Sequence, residues 1–298
     1  APPACVMTQA RVMTPSMGSA RRIWIAVALA AISAWAPRAA AHGLLPSSGL
    51  VALEPATDQT IFVRIRETPG WIASRDGGST WGWICPQVAG IDGQADPPIV
   101  IVPGGGVIAA TYEGLSVTAD SCGWSPVAGD AGGRNFVDVL PEADPAKFIA
   151  LSANGVAADT VDVDLWHSDG DIHGWGHLTR IADKTFVPNS VGVGHDDGQR
   201  LYLTGRDGKG SGDQGASYAG ALLRSDDRGK TWQRLAVPGT DGVSRLPYIA
   251  AVDPGDANRI YIANVRTLLG GSPLSFELLV SDDGGKSFVV AFEIDEPI

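Results

Sequence analysis

The sequence predicts an all-β fold in which a small four-stranded antiparallel sheet is repeated about five times. Three observations predict it. A turn of one form, Ser-x-Asp-x-Gly-x-Ser/Thr-aromatic, occurs at 74–81, 225–232 and 281–288. Apolar segments with alternating polarity and β-branched residues flank these turns, and no long helical periodicity follows residue 42. The 38 glycines and 20 prolines supply the punctuation that many short strands need.

The residue types of the turn follow from what a hairpin must do. Ser74, Asp76, Gly78, Thr80 and Trp81 fill the first copy. Ser225, Asp227, Gly229, Thr231 and Trp232 fill the second, and Ser281, Asp283, Gly285, Ser287 and Phe288 the third. Glycine takes backbone angles that other residues avoid. The carboxylate accepts hydrogen bonds from nearby N–H groups, and the hydroxyls tie down the strand ends. The aromatic lies on the outgoing strand and packs between sheets. The motif resembles the Asp-box, or BNR repeat, of sialidase-like β-propellers and of photosystem II assembly factor-like proteins. That resemblance implies a β-propeller of four-stranded blades in which these residues are structural. It says little about what is bound.

Two further copies are eroded. Thr118, Asp120 and Trp124 form one that is a residue short, and His167 to Trp175, with Asp169 in the acidic place, form one that is a residue long. The acidic positions 76, 120, 169, 227 and 283 recur at intervals of roughly 44–58 residues, as four-stranded blades with loop insertions require. Blades are predicted near 50–88, 97–128, 134–181, 188–237 and 246–298. The propellers that the chain resembles have six or seven blades. The five are therefore expected to be part of such a ring, incomplete at the C-terminus, or an open one, since an unfinished propeller leaves strand edges bare.

Residues 1–41 are expected to lie outside the propeller, which takes 42–298. Arg21 and Arg22 precede the apolar run Ile23 to Ala36, and Ala39-Ala40-Ala41 follows. This reads as a secretory signal peptide cut after Ala41, with export to the periplasm, cell surface or medium; an uncut anchor is the alternative. Met17 makes a better start than residue 1. The apolar run is short for a membrane span, and none is expected in the mature chain. Cys85 and Cys122 survive the cut. In an oxidising compartment a disulfide between neighbouring blades is expected, two separate thiols being the alternative. The formal charge of −11, with no basic stripe, excludes a nucleic-acid partner and leaves an unknown protein or glycan ligand.

The chemistry is less legible. In the resembling families ligands gather on the face opposite the box turns and at the channel mouth. Arg66 and Arg206 fall at matching places at the end of the second strand, with Arg266 one residue off. Converging arginines can clamp a carboxylate or sulfate. Tyr112 and Glu113 lie in a short second-to-third-strand loop on the same face. The sialidase resemblance implies an arginine triad, a tyrosine nucleophile with a glutamate partner and an aspartate acid/base. The Arg-Ile-Pro motif is absent, Arg64-Ile65-Arg66 being a faint echo, and adjacent Tyr112 and Glu113 would point to opposite faces of an extended strand. No catalytic residue is assigned. The run Asp162, Asp164, His167, Asp169, Asp171, His173 and His177 contains metal-binding residue types, but a solvated turn and its strands account for it without metal. No metal or cofactor is expected. The Gly-rich stretch 206–215 lacks the Gly-Lys-Ser/Thr ending of a phosphate loop and reads as a surface loop. The expected function is an exported, non-catalytic binding or scaffold module. A sialidase-like glycoside hydrolase working on the face opposite the boxes is the alternative.

Overall fold

The computed structural model describes residues 48–298, apart from 56, 58, 66–69, 92–96, 158–159, 196–197, 208–218, 241–244, 268–272 and 295–298. The expected signal peptide lies outside the described residues. Among the described residues twenty strands form five four-stranded sheets, each paired antiparallel in chain order. Blade 1 holds β1 (Ser48–Leu53), β2 (Ile61–Ile65), β3 (Trp71–Ser74) and β4 (Gly82–Ile84). Blade 2 holds β5 (Ile99–Ile101), β6 (Val107–Thr111), β7 (Gly114–Thr118) and β8 (Trp124–Pro126). Blade 3 holds β9 (Phe136–Pro141), β10 (Phe148–Ala157), β11 (Thr160–Ser168) and β12 (Gly176–Arg180). Blade 4 holds β13 (Phe186–Val193), β14 (Leu201–Asp207), β15 (Gly220–Ser225) and β16 (Gln233–Ala236). Blade 5 holds β17 (Arg245–Asp253), β18 (Asp256–Thr267), β19 (Pro273–Ser281) and β20 (Val289–Ile294). Middle strands such as β6 and β7 are buried on both faces, because sheets pack against both sides of a blade.

The three intact turns close by one set of bonds. Asp76 Oδ1 accepts from the Thr80 N–H and the Ser74 hydroxyl, both at 2.8 Å, and Oδ2 accepts from the Thr80 hydroxyl at 2.7 Å. Ser74 Oγ in turn accepts the Gly78 N–H at 2.8 Å. The same four bonds recur around Asp227 and around Asp283. Gly78, Gly229 and Gly285 have φ of 90°, 84° and 89°, which a side chain would strain. In the short copy, Asp120 Oδ1 takes the N–H groups of Cys122 and Gly123 at 2.9 and 2.8 Å. The long copy corrects the sequence alignment. Asp171, not Asp169, accepts the turn N–H, that of His173 at 2.9 Å, while Asp169 pairs with Lys147 and His167. The extra residue moves the acid that fits the turn by two places.

Each box tryptophan is aimed by its own turn. The indole N–H of Trp81, Trp124, Trp175 and Trp232 donates to a carbonyl three residues back, at 2.9 to 3.2 Å. The ring then seats on the preceding blade. Trp124 stacks on Trp71 of blade 1, with centroids 5.9 Å apart. Trp175 packs on the core shared by blades 2 and 3, Trp232 on that of blades 3 and 4, and Phe288 on that of blades 4 and 5. Trp81 breaks the pattern: it is 46% exposed rather than sandwiched, because blade 1 has no preceding blade against it among the described residues. Val51 and Leu53 are exposed on blade 1, as are Val289, Val290 and Phe292 on blade 5. Four cores join the five blades in series, and among the described residues none joins blade 5 to blade 1.

The expected disulfide is also corrected. Cys85 and Cys122 are both thiols. Each is engaged in its own local turn. Cys85 precedes the 3-10 turn Pro86–Ala89 and its thiol donates to Gln87 Oε1 at 2.6 Å, while Cys122 lies within the box turn.

The turn acids make the fold acid-sensitive. Bonds from Thr231, first from its hydroxyl and then from its N–H, hold Asp227 down to about 2, and Ser287 holds Asp283 lower still. Folded values below the unfolded one contribute stability that is complete above about pH 4 and lost as pH falls through about 2. Asp227→Asn is expected to melt at a lower temperature than wild type at neutral pH. Thermal melts down to about pH 2 should show that gap closing, because the wild type loses there what the variant already lacks.

Candidate functional site

The first strands of successive blades lie side by side at the propeller axis. Four of them, β1, β9, β13 and β17, pair with their second strands through a register irregularity. Such a bulge leaves backbone groups without ladder partners and re-aims a side chain. Groups on the inner edge of these strands join neighbouring blades. Asp138 Oδ2 accepts the Val191 N–H at 2.9 Å, linking blade 3 to blade 4. Ser190 Oγ accepts the Ile249 N–H at 2.7 Å, and Asn189 Nδ2 donates to the Pro247 carbonyl at 3.1 Å, linking blade 4 to blade 5.

These strands enclose a cavity of about 520 Å3. It includes Thr111 and Tyr112 at the β6–β7 turn, the opposite end of the blade from the β7–β8 box turn. Pro97, Pro98, Phe136, Pro188 and Ile249 make its walls apolar; Asn189, Ser190 and Asp138 add polar groups. Tyr112 and Tyr248 are 71% and 38% exposed. Asp138 is the one acid among the described lining residues. Burial pushes its carboxyl up to about 7, against the pull of N–H bonds from Val191 and Val139.

The residues expected from sequence are placed unevenly. Tyr112 lines the cavity. Glu113, next to it, is exposed and is not among the lining residues. Arg206 lies on β14 opposite Val187 and Gly220, and its charge acts on Tyr248. Arg66 lies outside the described residues. Arg266 is described only as a backbone position opposite Arg245 and Ser275. Arg64, in the faint echo of the arginine motif, is buried and donates to the Gly70 carbonyl at 3.0 Å. Most of the Gly-rich loop, 208–218, also lies outside the described residues. Sequence reasoning missed Asp138, Asn189, Ser190 and Tyr248. The available signal was an acid interrupting the apolar run Phe136 to Leu140.

Other acids are spent on internal pairs. Asp164 is fully buried and accepts from Arg180 Nε at 2.7 Å and His177 Nε2 at 2.9 Å. Asp162 pairs with Arg180 and Lys184. On the other side of the molecule a second cavity, about 460 Å3, is lined by Glu142, His167 and Arg228. Glu142 takes both Arg228 nitrogens at 2.9 Å and His167 Nδ1 at 2.8 Å, which clamps blade 3 to blade 4. Burial alone would raise the Glu142 carboxyl, but the pull of Arg228 and His167 exceeds it and holds the value low. Arg228 sits at φ 58°, where the other intact boxes have glycine, so this ion pair holds a strained turn residue in place.

Asp138 carries a pH dependence of opposite sign to that of the box acids. Its folded value lies above the unfolded one, so its contribution to stability is complete below about pH 4 and is lost as pH rises through about 7. Asp138→Asn should gain in melting temperature relative to wild type as pH rises from about 5 to about 8. A gap that does not change over that range would show that burial does not control this group.

The comparisons with known proteins agree with this architecture. The family described as BNR/Asp-box repeat matches residues 223–234, the third-strand end and turn of blade 4. No curated protein matches the chain in sequence. Among solved structures it is similar to the Niastella koreensis GH74 enzyme, at 15% identity and a TM-score of 0.56, over 82% of this chain and 38% of that one. It is also similar to Kuenenia stuttgartiensis hydrazine synthase, at 12% identity and a TM-score of 0.52, over 88% and 90%. The chain thus spans well under half the length of the GH74 enzyme, and identities this low speak to the fold alone. The five acid-clipped hairpins, the five four-stranded sheets and the matched repeat together make the described chain a β-propeller that carries a BNR/Asp-box repeat.

Proposed function

We propose that the protein is an exported, non-catalytic propeller that binds a protein or glycan ligand at the channel-mouth cavity, on the side away from the box turns. One observation carries this reading: the cavity offers a single carboxylate among its described lining residues, and that carboxylate already accepts two backbone N–H groups. A glycoside hydrolase of the usual kind needs two carboxyl groups, roughly 5–10 Å apart across the scissile bond. Tyr112 and Arg206 are proposed as ligand contacts, with Arg66 and Arg266 as candidates for the same rim. The bare end faces of blades 1 and 5 support reading the five blades as part of a six- or seven-bladed ring.

The purified protein is expected to release no fluorophore from a panel of sialosides and other fluorogenic glycosides. Turnover that is lost in Asp138→Asn would replace this reading with the hydrolase. Export is tested separately. The N-terminus of protein recovered outside the cytoplasm should begin at His42.

A further inference from the structure

We propose that the channel-mouth cavity takes a cationic side chain, a lysine or arginine on an extended segment of a partner protein, with Asp138 as its counter-charge and Tyr112 and Tyr248 as its aromatic walls. This rests on the binding-module reading above and names the chemistry of the ligand. The first support is a contrast among acids. Glu142 is held by Arg228 and His167, Asp164 by Arg180, His177 and Arg134, and Glu277 by Arg245. Asp138 accepts only backbone N–H groups, and among the described residues no cation acts on it. A carboxylate in an apolar cavity without a counter-charge is costly, and an incoming cation would remove that cost.

The walls fit the same occupant. Tyrosine ring faces attract ammonium and guanidinium groups, more strongly where water is excluded. Tyr112 and Tyr248 both line the cavity, and they are near enough to influence each other electrostatically. At about 520 Å3 the space exceeds one side chain and admits a short length of backbone beside it. Asn189 and Ser190 offer polar groups at its edge, although both also bond to blade 5. The net charge of −11 favours approach of a basic segment.

Binding and protonation are then linked. A cation binds the ionised form of Asp138, so affinity should rise as pH passes through about 7. The other titratable groups of the cavity are the phenols of Tyr112 and Tyr248, and burial raises that of Tyr248. Arg206 acts on Tyr248, and Glu113 adjoins Tyr112 at the surface.

The test uses the whole chain, a fluorescent peptide alternating glycine and lysine, its fully Nε-acetylated twin and a neutral oligosaccharide, in about 150 mM salt. Anisotropy should report binding of the lysine peptide and not of the acetylated one. Asp138→Asn should weaken it about tenfold at about pH 8 and little at about pH 5.5, as expected for loss of one charge-assisted contact. Tyr112→Ala, at an exposed position, should weaken binding without changing the melting temperature. If the acetylated peptide or the oligosaccharide binds as well, and Asp138→Asn is indifferent, the cationic ligand is overturned and the binding module stands. If none of the probes binds, the proposed cavity ligand and the binding-module reading fall together.

Discussion

A carboxylate that closes four residues into a turn is the contact on which the rest of this structure depends. In the intact boxes the acid takes an N–H and a hydroxyl four residues ahead and a hydroxyl two residues behind. Glycine makes the reversal possible, and the indole N–H bond three residues back fixes the ring that follows. One local event thus sets the third and fourth strands and aims an aromatic at the neighbouring sheet. Stacked or edge-on aromatic contacts add about 0.5–1.5 kcal/mol beyond the area that they bury. Repeated from blade to blade, that increment turns hairpin geometry into an arc.

The two edges of each blade are stabilised differently. At the rim the bonds are local and identical in form. At the axis they are long-range and individual: Asp138 to Val191, Ser190 to Ile249, Asn189 to Pro247. The axis is therefore where the repeats have diverged and where a cavity with its own character arises. Its polar groups do two things at once. They bond backbone groups on the inner edge of the next blade's first strand, and they line the space in which a ligand would sit. The clamp of Glu142, His167 and Arg228 illustrates the other solution, in which charged groups satisfy one another and leave nothing for a ligand.

How much of this the sequence displays follows from the range of each interaction. The intact boxes are legible because every bond in them spans four residues or fewer. The long copy is half legible: two acids stand two residues apart, and only coordinates show that Asp171 serves the turn while Asp169 serves Lys147. Asp138 is illegible because its surroundings come from Val191, 53 positions away, and from residues of four blades. The disulfide was inferred from compartment, which constrains chemistry but not geometry. The arginine register says nothing of whether the three arginines meet, because that depends on how the blades are set against one another.

The five described sheets are joined in single file. Among the described residues each inner blade is gripped from two sides, blades 1 and 5 are gripped from one, and Trp81 is 46% exposed. Stability in such an array is a sum of nearest-neighbour terms, so opening starts where a neighbour is missing and spreads inward. The channel-mouth cavity draws its walls from blades 2 to 5. Its integrity is therefore tied to the grip on blade 5, and fraying of that sheet would remove Tyr248 and Ile249 before any other wall.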